Sequence, residues 1–216
     1  MLERPDCGLW VVADGMGGHD AGEVASAAIV DALAAIPQSA NLELFAASII
    51  GALHDVNTQL RTLGNSAPRP TTIGSTVVAL AIAAGEFRCI WAGDSRAYRV
   101  RGAELTQITR DHSLVQDLVA AGLVEAGEAE THPQAHVITR AIGAADSLEL
   151  ECAAGDALPD DIFLLASDGL TRVVAPDEIL KRLRTMNPAQ AAGALIDTVL
   201  ARGAPDNVSL AICRVR

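Results

Sequence analysis

Aromatic residues are scarce in this chain: they make up only 3% of its 216 residues, although half of the residues are hydrophobic. The core is therefore expected to be mainly aliphatic and rich in alanine. No apolar run is both long enough and sufficiently free of charge to span a bilayer, which predicts no membrane insertion. The first residues, Met1–Gly8, include Glu3, Arg4 and Asp6 and do not resemble a signal peptide, so we expect a cytoplasmic location.

The chain also lacks an excess of positive charge and any cluster of cysteines. The chain has 16 basic and 27 acidic residues, a formal net charge of −11 and no basic stripe, which argues against nucleic acid as a partner. The four cysteines lie far apart and form no Cys-x-x-Cys pair or Cys/His cluster, which excludes the usual zinc-site spacing. They are Cys7, Cys89, Cys152 and Cys213.

The order of hydrophobic patterns predicts an α+β fold in one domain over 1–216, with no dividing linker. A buried strand at Leu9–Ala13 precedes two helices, Ala21–Ile36 and Leu42–Leu63. Four strands between residues 74 and 108, joined by short turns, are typical of an antiparallel meander. The remaining predicted elements are a helix at His112–Ala121, strands at Leu148–Cys152 and Ile162–Ala166, helices at Pro176–Arg184 and Pro188–Arg202, and a strand at Asn207–Val215.

Four aspartates lie beside apolar runs that are typical of buried strands. They are Asp14 in ADGMGGH, Asp94 in AGDSR, Asp168 in ASDGL and Asp206 in APDNV. Carboxylates gathered in one pocket raise each other's pKa unless divalent ions lie among them. Oxygen ligands favour a hard cation such as Mg²⁺ or Mn²⁺. The pattern predicts one shared site in which two ions about 3.5–4 Å apart would support phosphomonoester hydrolysis by an activated water.

Each motif taken singly also has a purely structural explanation. The two Asp-Gly pairs are common in plain turns, Asp94 could pair with Arg96 in a hairpin, and Asp206 could form an Asx-type turn. The constellation is more specific than its parts. In particular, Gly15 has no side chain and would let the backbone approach an ion closely.

Seven segments carry a family resemblance, in family order and over nearly the whole chain. They are Val11–Ser26, Gly74–Thr76, Trp91–Tyr98, Thr109–Leu114, His132–Gly143, Leu165–Leu170 and Ala204–Val208. The chain resembles the bacterial branch of the metal-dependent serine/threonine protein phosphatases of type 2C. The resemblance implies a four-layer α-β-β-α sandwich of two mainly antiparallel sheets flanked by helices, with metals at one end of the sheets.

The resemblance also implies a set of metal ligands. Asp14 would lie between two ions, with the carbonyl of Gly15 as a further ligand. Asp168 and Asp206 would hold the first ion. Asp94, together with Asp168, would match a third, outer ion. The cofactor would be Mn²⁺ or Mg²⁺.

Roles near the substrate follow from the resemblance as well. His19 would protonate the leaving seryl oxygen as a general acid, or it would pack at the start of a helix. The segment at about 111–143 would form a flap beside the site. His112 and His132 would organise this flap, and Arg140 would be structural or flank the substrate path.

The implied activity is hydrolysis of phosphoserine and phosphothreonine in proteins, opposing a bacterial serine/threonine kinase whose phosphorylated products would be the substrates. The residues around Leu9–His19 also resemble phosphatases that oppose a threonine kinase in type VI secretion clusters. Conversely, a catalytically impaired or silent member would act as a phosphoprotein-binding or regulatory module.

This alternative arises from the start of the sequence. Family members carry, before the strand that ends near Asp14, a first strand pair, a phosphate-binding arginine and an Asn-x-Asp metal motif. We therefore expect the sandwich to lack its first N-terminal strands and the second metal site to lack one carboxylate. A truncated sequence, a genuine short form and a non-catalytic module would each explain this, and the retained acidic motifs favour truncation.

Overall fold

The structure is a computed structural model that describes residues 1–16, 19–66 and 71–216, without the side chains of residues 19, 20, 130 and 131. The strands are β1 (Leu2–Arg4), β2 (Leu9–Val12), β3 (Gly15–Met16), β4 (Gly74–Ser75), β5 (Val77–Ala83), β6 (Glu86–Ala92), β7 (Arg96–Arg101), β8 (Glu104–Gln107), β9 (Glu151–Asp156), β10 (Ile162–Ala166) and β11 (Leu210–Arg214). The α-helices are α1 (His19–Ala34), α2 (Leu42–Ser66), α3 (Leu114–Ala120), α4 (Asp168–Thr171), α5 (Pro176–Thr185) and α6 (Pro188–Ala201).

Two antiparallel sheets form the centre of the fold. The first has the strand order β1-β2-β5-β6-β9, the second has the order β11-β10-β7-β8, and β3 and β4 form a small separate pair. Helices α1 and α2 share a hydrophobic cluster with one face of the first sheet, and α4, α5 and α6 do so with one face of the second. A third cluster joins the remaining faces of both sheets. The predicted α+β class and four-layer α-β-β-α sandwich are confirmed.

Strand β10 shows why the central strands are continuous apolar runs. Ile162, Leu164 and Ala166 belong to the cluster on the helix side. Phe163 and Leu165 point to the other sheet, because successive side chains of a strand alternate between its faces. A strand covered on both faces has no solvent-facing positions for polar residues, so hydrophobic side chains occur at every position.

The few aromatic residues are concentrated between the sheets. Trp10, Phe87, Trp91 and Phe163, four of the six in the chain, belong to this inter-sheet cluster. The rings of Phe87 and Phe163 meet edge to face with centroids 5.2 Å apart. The core is therefore aliphatic on its helix-covered faces, as expected, but the contact between the sheets depends on large rings.

The prediction that the four strands between residues 74 and 108 form one antiparallel meander is wrong. Strands β5 and β6 pair in the first sheet, whereas β7 and β8 pair in the second, so the chain changes sheets after Ala92. Gly93 makes the crossing with φ of 110°, and a Cβ there would lie 2.6 Å from the Cβ of Thr76. Only glycine combines that backbone angle with such a close approach. Asp94 therefore lies where the chain passes from one sheet to the other.

The ends of several elements differ from their predicted positions. The strand expected at Leu148–Cys152 begins only at Glu151, where it pairs with β6. Helix α3 begins at Leu114 because the side chain of Ser113 caps it by accepting the N–H of Gln116. The edge strand β1 was not predicted, and the expected lack of strands before it stays a prediction. In the described parts of the chain, no helix is long and apolar enough to cross a membrane.

We expect Phe163→Ala to lower the free energy of unfolding by about 3–5 kcal/mol, because it removes a fully buried ring from between the sheets. Urea denaturation measures the change. The control is Leu123→Ala, which truncates a side chain that is 72% exposed and should change stability by less than about 0.5 kcal/mol. Equal effects of the two changes would contradict the assigned packing of the sheets.

Candidate active site

A buried hydroxyl group connects the segments that carry Asp14 and Asp94. The N–H of Asp14 donates to Oγ1 of Thr76 at 3.2 Å, and the carbonyl of Asp14 accepts the Thr76 N–H at 2.9 Å. Oγ1 of Thr76 also lies 2.8 Å from Oγ of Ser95. The Ser75 hydroxyl donates to the Asp14 carbonyl at 2.9 Å. Thr76 thereby fixes the Asp14 backbone relative to the turn that contains Asp94.

Asp168 and Asp206 are brought together by the loops at one end of β10 and β11. The N–H of Ser167 donates to the carbonyl of Ser209 at 2.9 Å, and the Ser209 N–H donates to Oγ of Ser167 at 3.0 Å. A Cβ on Gly169 would lie 2.1 Å from the carbonyl oxygen of Asn207. The loops therefore touch through backbone atoms, and a larger residue in place of Gly169 would separate them.

Two further glycines make a close contact beside Asp14. A Cβ on Gly15 would lie 1.9 Å from the carbonyl oxygen of Gly22 in the first turns of α1. The packing of this helix alone therefore requires glycine at position 15. The Gly15 carbonyl as a metal ligand stays a prediction.

The carboxylates influence one another electrostatically. Burial is the largest of the causes that together raise the pKa of Asp14 to about 7, followed by the charges of Asp168, Asp206 and Asp94 in that order. Burial, followed by repulsion from Asp168 and Asp111, raises the pKa of Asp94 to about 6 against an opposing effect of Arg172. Asp168, Asp206 and Asp94 thus lie near enough to Asp14 for their charges to affect its pKa, which agrees with a shared site.

The fit of this site to metal ions follows from the chemistry of its donors. Among the residues that the structure describes, no three His, Cys, Asp or Glu side chains converge closely enough to hold an ion as they stand. Asp14 and Asp94 are nevertheless partly desolvated and are repelled by neighbouring aspartates, and divalent charge would relieve this repulsion. Asp14, Asp168 and Asp206 are the residues that could hold such ions.

The arginines near the aspartates do not form the Asp94–Arg96 pair that the hairpin alternative requires. Asp94 does not pair with Arg96; it pairs with Arg172 at 3.4 Å, and Arg172 also contacts Asp168 at 2.7 Å. Arg96 instead forms a bidentate pair with Asp111, at 2.9 Å through Nε and 2.8 Å through Nη2. Sequence reasoning missed Arg172 as a site residue, although its i,i+4 spacing from Asp168 was a usable signal.

The predicted flap is attached to the Gly93 turn through His112. This side chain is buried, its ring stacks on Trp91 with centroids 6.1 Å apart, and its Nδ1 accepts the Gly93 N–H at 3.2 Å. Nε2 lies 3.2 Å from Oε1 of Glu151, so a neutral ring with its proton on Nε2 can donate to that carboxylate. Burial lowers the pKa of His112, which favours the neutral form. These contacts agree with the expected organising role of His112.

Of the other predicted residues near the substrate, His132 makes a local turn contact, with its Nδ1 accepting the Gln134 N–H at 3.1 Å. Arg140 pairs with Glu149 at 3.4 Å and with Glu151 at 3.1 Å, which favours its structural alternative. His19 begins α1, but its side chain lies outside the described residues. Its role as general acid stays a prediction.

A cleft of about 430 Å³ lies between the flap and two of the four aspartates. Asp94 and Asp168 line it from the sheet side, and Ser113 and His136 line it from the flap. The cleft gives the carboxylate cluster a neighbouring space large enough for a side chain and part of its backbone.

Comparison with known families agrees with this geometry. The family described as Protein phosphatase 2C matches residues 3–202. The chain belongs to this family. The protein phosphatase 2C assignment explains why the acidic motifs occur over the whole length, since the match includes Asp14, Asp94 and Asp168.

Three bacterial relatives of this phosphatase family are especially similar. The structure of "PppA, a key regulatory component of T6SS in Pseudomonas aeruginosa" is 42% identical, with a TM-score of 0.88, and the match covers 98% of this chain and 87% of that one. The serine/threonine protein phosphatase PstP of Mycobacterium tuberculosis is 36% identical over 96% of this chain, which spans only 40% of that relative. The serine/threonine phosphatase stp of Listeria monocytogenes is 33% identical over 93% of this chain and 81% of its own length.

A solved structure of the PstP catalytic domain contains two manganese ions. It matches with a TM-score of 0.84 and 35% identity, over 96% of this chain and 88% of that domain. Phosphatases of the 2C family use Mn²⁺ or Mg²⁺.

We expect the free energy of unfolding of the metal-free chain to fall as pH rises from about 4 to about 7. In that window the folded chain retains a proton on Asp14, whereas the unfolded chain, with its ordinary aspartate pKa of 3.8, has lost it. Urea denaturation in the presence of EDTA measures the slope. Asp14→Asn should reduce the slope, most clearly between about pH 6 and 7 where Asp94 contributes little, whereas Asp197→Asn on the exposed face of α6 should not change it. Stability that rises through this window would contradict the assigned environment of Asp14.

We expect His112→Ala to cost about 1–3 kcal/mol and to speed proteolysis within 111–143, because the Gly93 N–H loses its acceptor. His112→Asn should restore part of the loss, since its Oδ1 can accept the same hydrogen bond. Urea denaturation and timed digestion with a glutamyl endopeptidase, which can cut after Glu125 and Glu128, give the two measurements. Unchanged cleavage of the flap in the alanine variant would show that His112 does not anchor it.

Proposed function

We propose that this chain hydrolyses phosphoserine and phosphothreonine in proteins with the help of bound Mn²⁺ or Mg²⁺. The observation that carries the proposal is the shared electrostatic site of Asp14, Asp94, Asp168 and Asp206 in a chain of the protein phosphatase 2C family. The two manganese ions in the related PstP domain support the choice of cofactor.

Asp14, Asp168 and Asp206 are the proposed ligands of two divalent ions. Ions bound there would lower the pKa of a bound water and would supply charge that stabilises phosphoryl oxygens in the transition state. The contact of Asp14 with Thr76 fixes the backbone at Asp14 before substrate arrives. The contact of Ser167 with Ser209 does the same for the backbone beside Asp168. Positioning of this kind reduces the reorganisation that the reaction requires.

The substrate's phosphorylated residue is proposed to enter through the cleft beside Asp94 and Asp168. The flap residues Ser113 and His136 border this cleft and would contact the peptide on the side opposite the carboxylates. His19, at the start of α1, is proposed as the general acid that protonates the leaving oxygen.

The proposed substrates are proteins phosphorylated by a bacterial serine/threonine kinase. The relatives in Mycobacterium and Listeria are named serine/threonine phosphatases, which supports this class of substrate. The Pseudomonas relative is described as a key regulatory component of T6SS. Its 42% identity supports the more specific proposal that this chain regulates a type VI secretion system.

A silent phosphoprotein-binding module is the second candidate function. It is favoured by the lack, in the described part of the chain, of three metal-binding side chains that already converge. Calorimetric titration with Mn²⁺ separates the candidates. Binding of two ions supports the enzyme, and a chain that binds a phosphothreonine peptide but no Mn²⁺ would be the module.

We expect Mn²⁺-dependent release of phosphate from a phosphothreonine peptide, and we expect Asp168→Asn to lower kcat/KM by about 100-fold or more. A loss of 100-fold corresponds to about 2.7 kcal/mol of transition-state stabilisation. Asp197→Asn is the matched control, because it makes the same change on an exposed face of α6. Turnover that persists in EDTA, or in Asp168→Asn at the wild-type level, would overturn the proposed mechanism.

A further inference from the structure

The side chain of Arg172 contacts both Asp94 and Asp168. Helix α4 is a single turn that begins at Asp168, and Arg172 follows it directly. The Arg172 N–H donates to the Asp168 carbonyl at 3.0 Å, and the i,i+4 spacing brings the two side chains to the same side of the turn. Nη2 of Arg172 then lies 2.7 Å from Oδ2 of Asp168 and 3.4 Å from Oδ2 of Asp94.

Burial makes this bridge stronger than an ordinary surface ion pair. The side chain of Asp94 is 8% exposed and that of Asp168 is 14% exposed, while Arg172 is 36% exposed. Carboxylates shielded to this extent are less screened by salt than exposed ones. The guanidinium group keeps its charge at all relevant pH values and offers several donors in one plane. It therefore supplies positive charge where the resemblance implies a third, outer ion.

We propose that Arg172 replaces this outer ion, so that Asp94 and Asp168 bind a guanidinium group and the chain binds only the inner ions. The inference rests on the proposed function, since it assumes that the remaining carboxylates bind metal. Arg172 approaches Asp168 most closely through Oδ2, and the inner ion would use Oδ1.

The guanidinium group of Arg172 and an outer Mn²⁺ would compete for Asp94 and Asp168, and attachment to the chain favours the guanidinium group. A group tethered one helical turn away acts at an effective concentration in the millimolar range or above. A divalent ion held by two carboxylates retains several of its waters and gains little beyond those two ligands. The tethered guanidinium should therefore outcompete free Mn²⁺ until Mn²⁺ reaches comparable concentrations.

The number of bound Mn²⁺ ions tests the proposal without measuring activity. Calorimetry and electron paramagnetic resonance of free Mn²⁺ would count ions on the wild type, on Arg172→Met and on Arg172→Gln. Both variants should bind one ion more than the wild type, and adding Asp94→Asn to either should remove it. Circular dichroism checks that each variant folds. Arg202→Met, which removes an arginine from its exposed pair with Glu178, should leave the count unchanged.

Equal counts for the wild type and both Arg172 variants would overturn the proposal while leaving the metal-dependent function in place. A wild-type count that falls by one in Asp94→Asn would overturn it as well, because Asp94 would then already hold an ion. If no variant binds Mn²⁺, the proposed metal-dependent function fails first, and this inference fails with it.

Discussion

Partial burial of several carboxylates at one end of two packed sheets is the constraint on which the rest of this site depends. Strands β2, β6 and β10 each end next to an aspartate, and antiparallel pairing places these ends beside one another. The sheets cannot separate to hydrate the carboxylates, because Phe163 and its neighbours pack between them. The resulting repulsion appears in the raised pKa of Asp14 and of Asp94 and must be offset by protons, by Arg172 or by bound cations.

Glycine residues allow the loops that carry the aspartates to approach one another closely. Gly15 lies against Gly22, Gly93 against Thr76, and Gly169 against the carbonyl of Asn207, in each case closer than a Cβ would allow. These contacts let the acidic loops approach one another through their backbones. The glycines beside the aspartates therefore serve the assembly of the site, independently of any direct contact with an ion.

The sequence predicted the central strands well, because continuous apolar runs are a local pattern, and the same pattern marked the four aspartates, whose roles stay predictions. Continuous apolar runs mark strands such as β10 wherever they are covered on both faces, and a carboxylate that follows such a run stands out. The pairing of strands was predicted less well. A period of two residues shows which side chains share a face but not which sheet a strand joins, so the change of sheets at Gly93 was missed. The contact of Asp94 with Arg172 joins residues 78 positions apart, and no local pattern encodes it.

The arginines around the site also argue for a role of metal ions in attracting the substrate. Arg96 is bound by Asp111, Arg140 by Glu149 and Glu151, and Arg172 by Asp94 and Asp168. Each of these guanidinium groups is therefore already neutralised by at least one carboxylate. The chain as a whole carries a formal charge of −11, which repels phosphorylated proteins at long range. Positive potential at the carboxylate cluster must then come mainly from bound divalent ions, so that the same ions would draw in the phosphate and activate the water that attacks it.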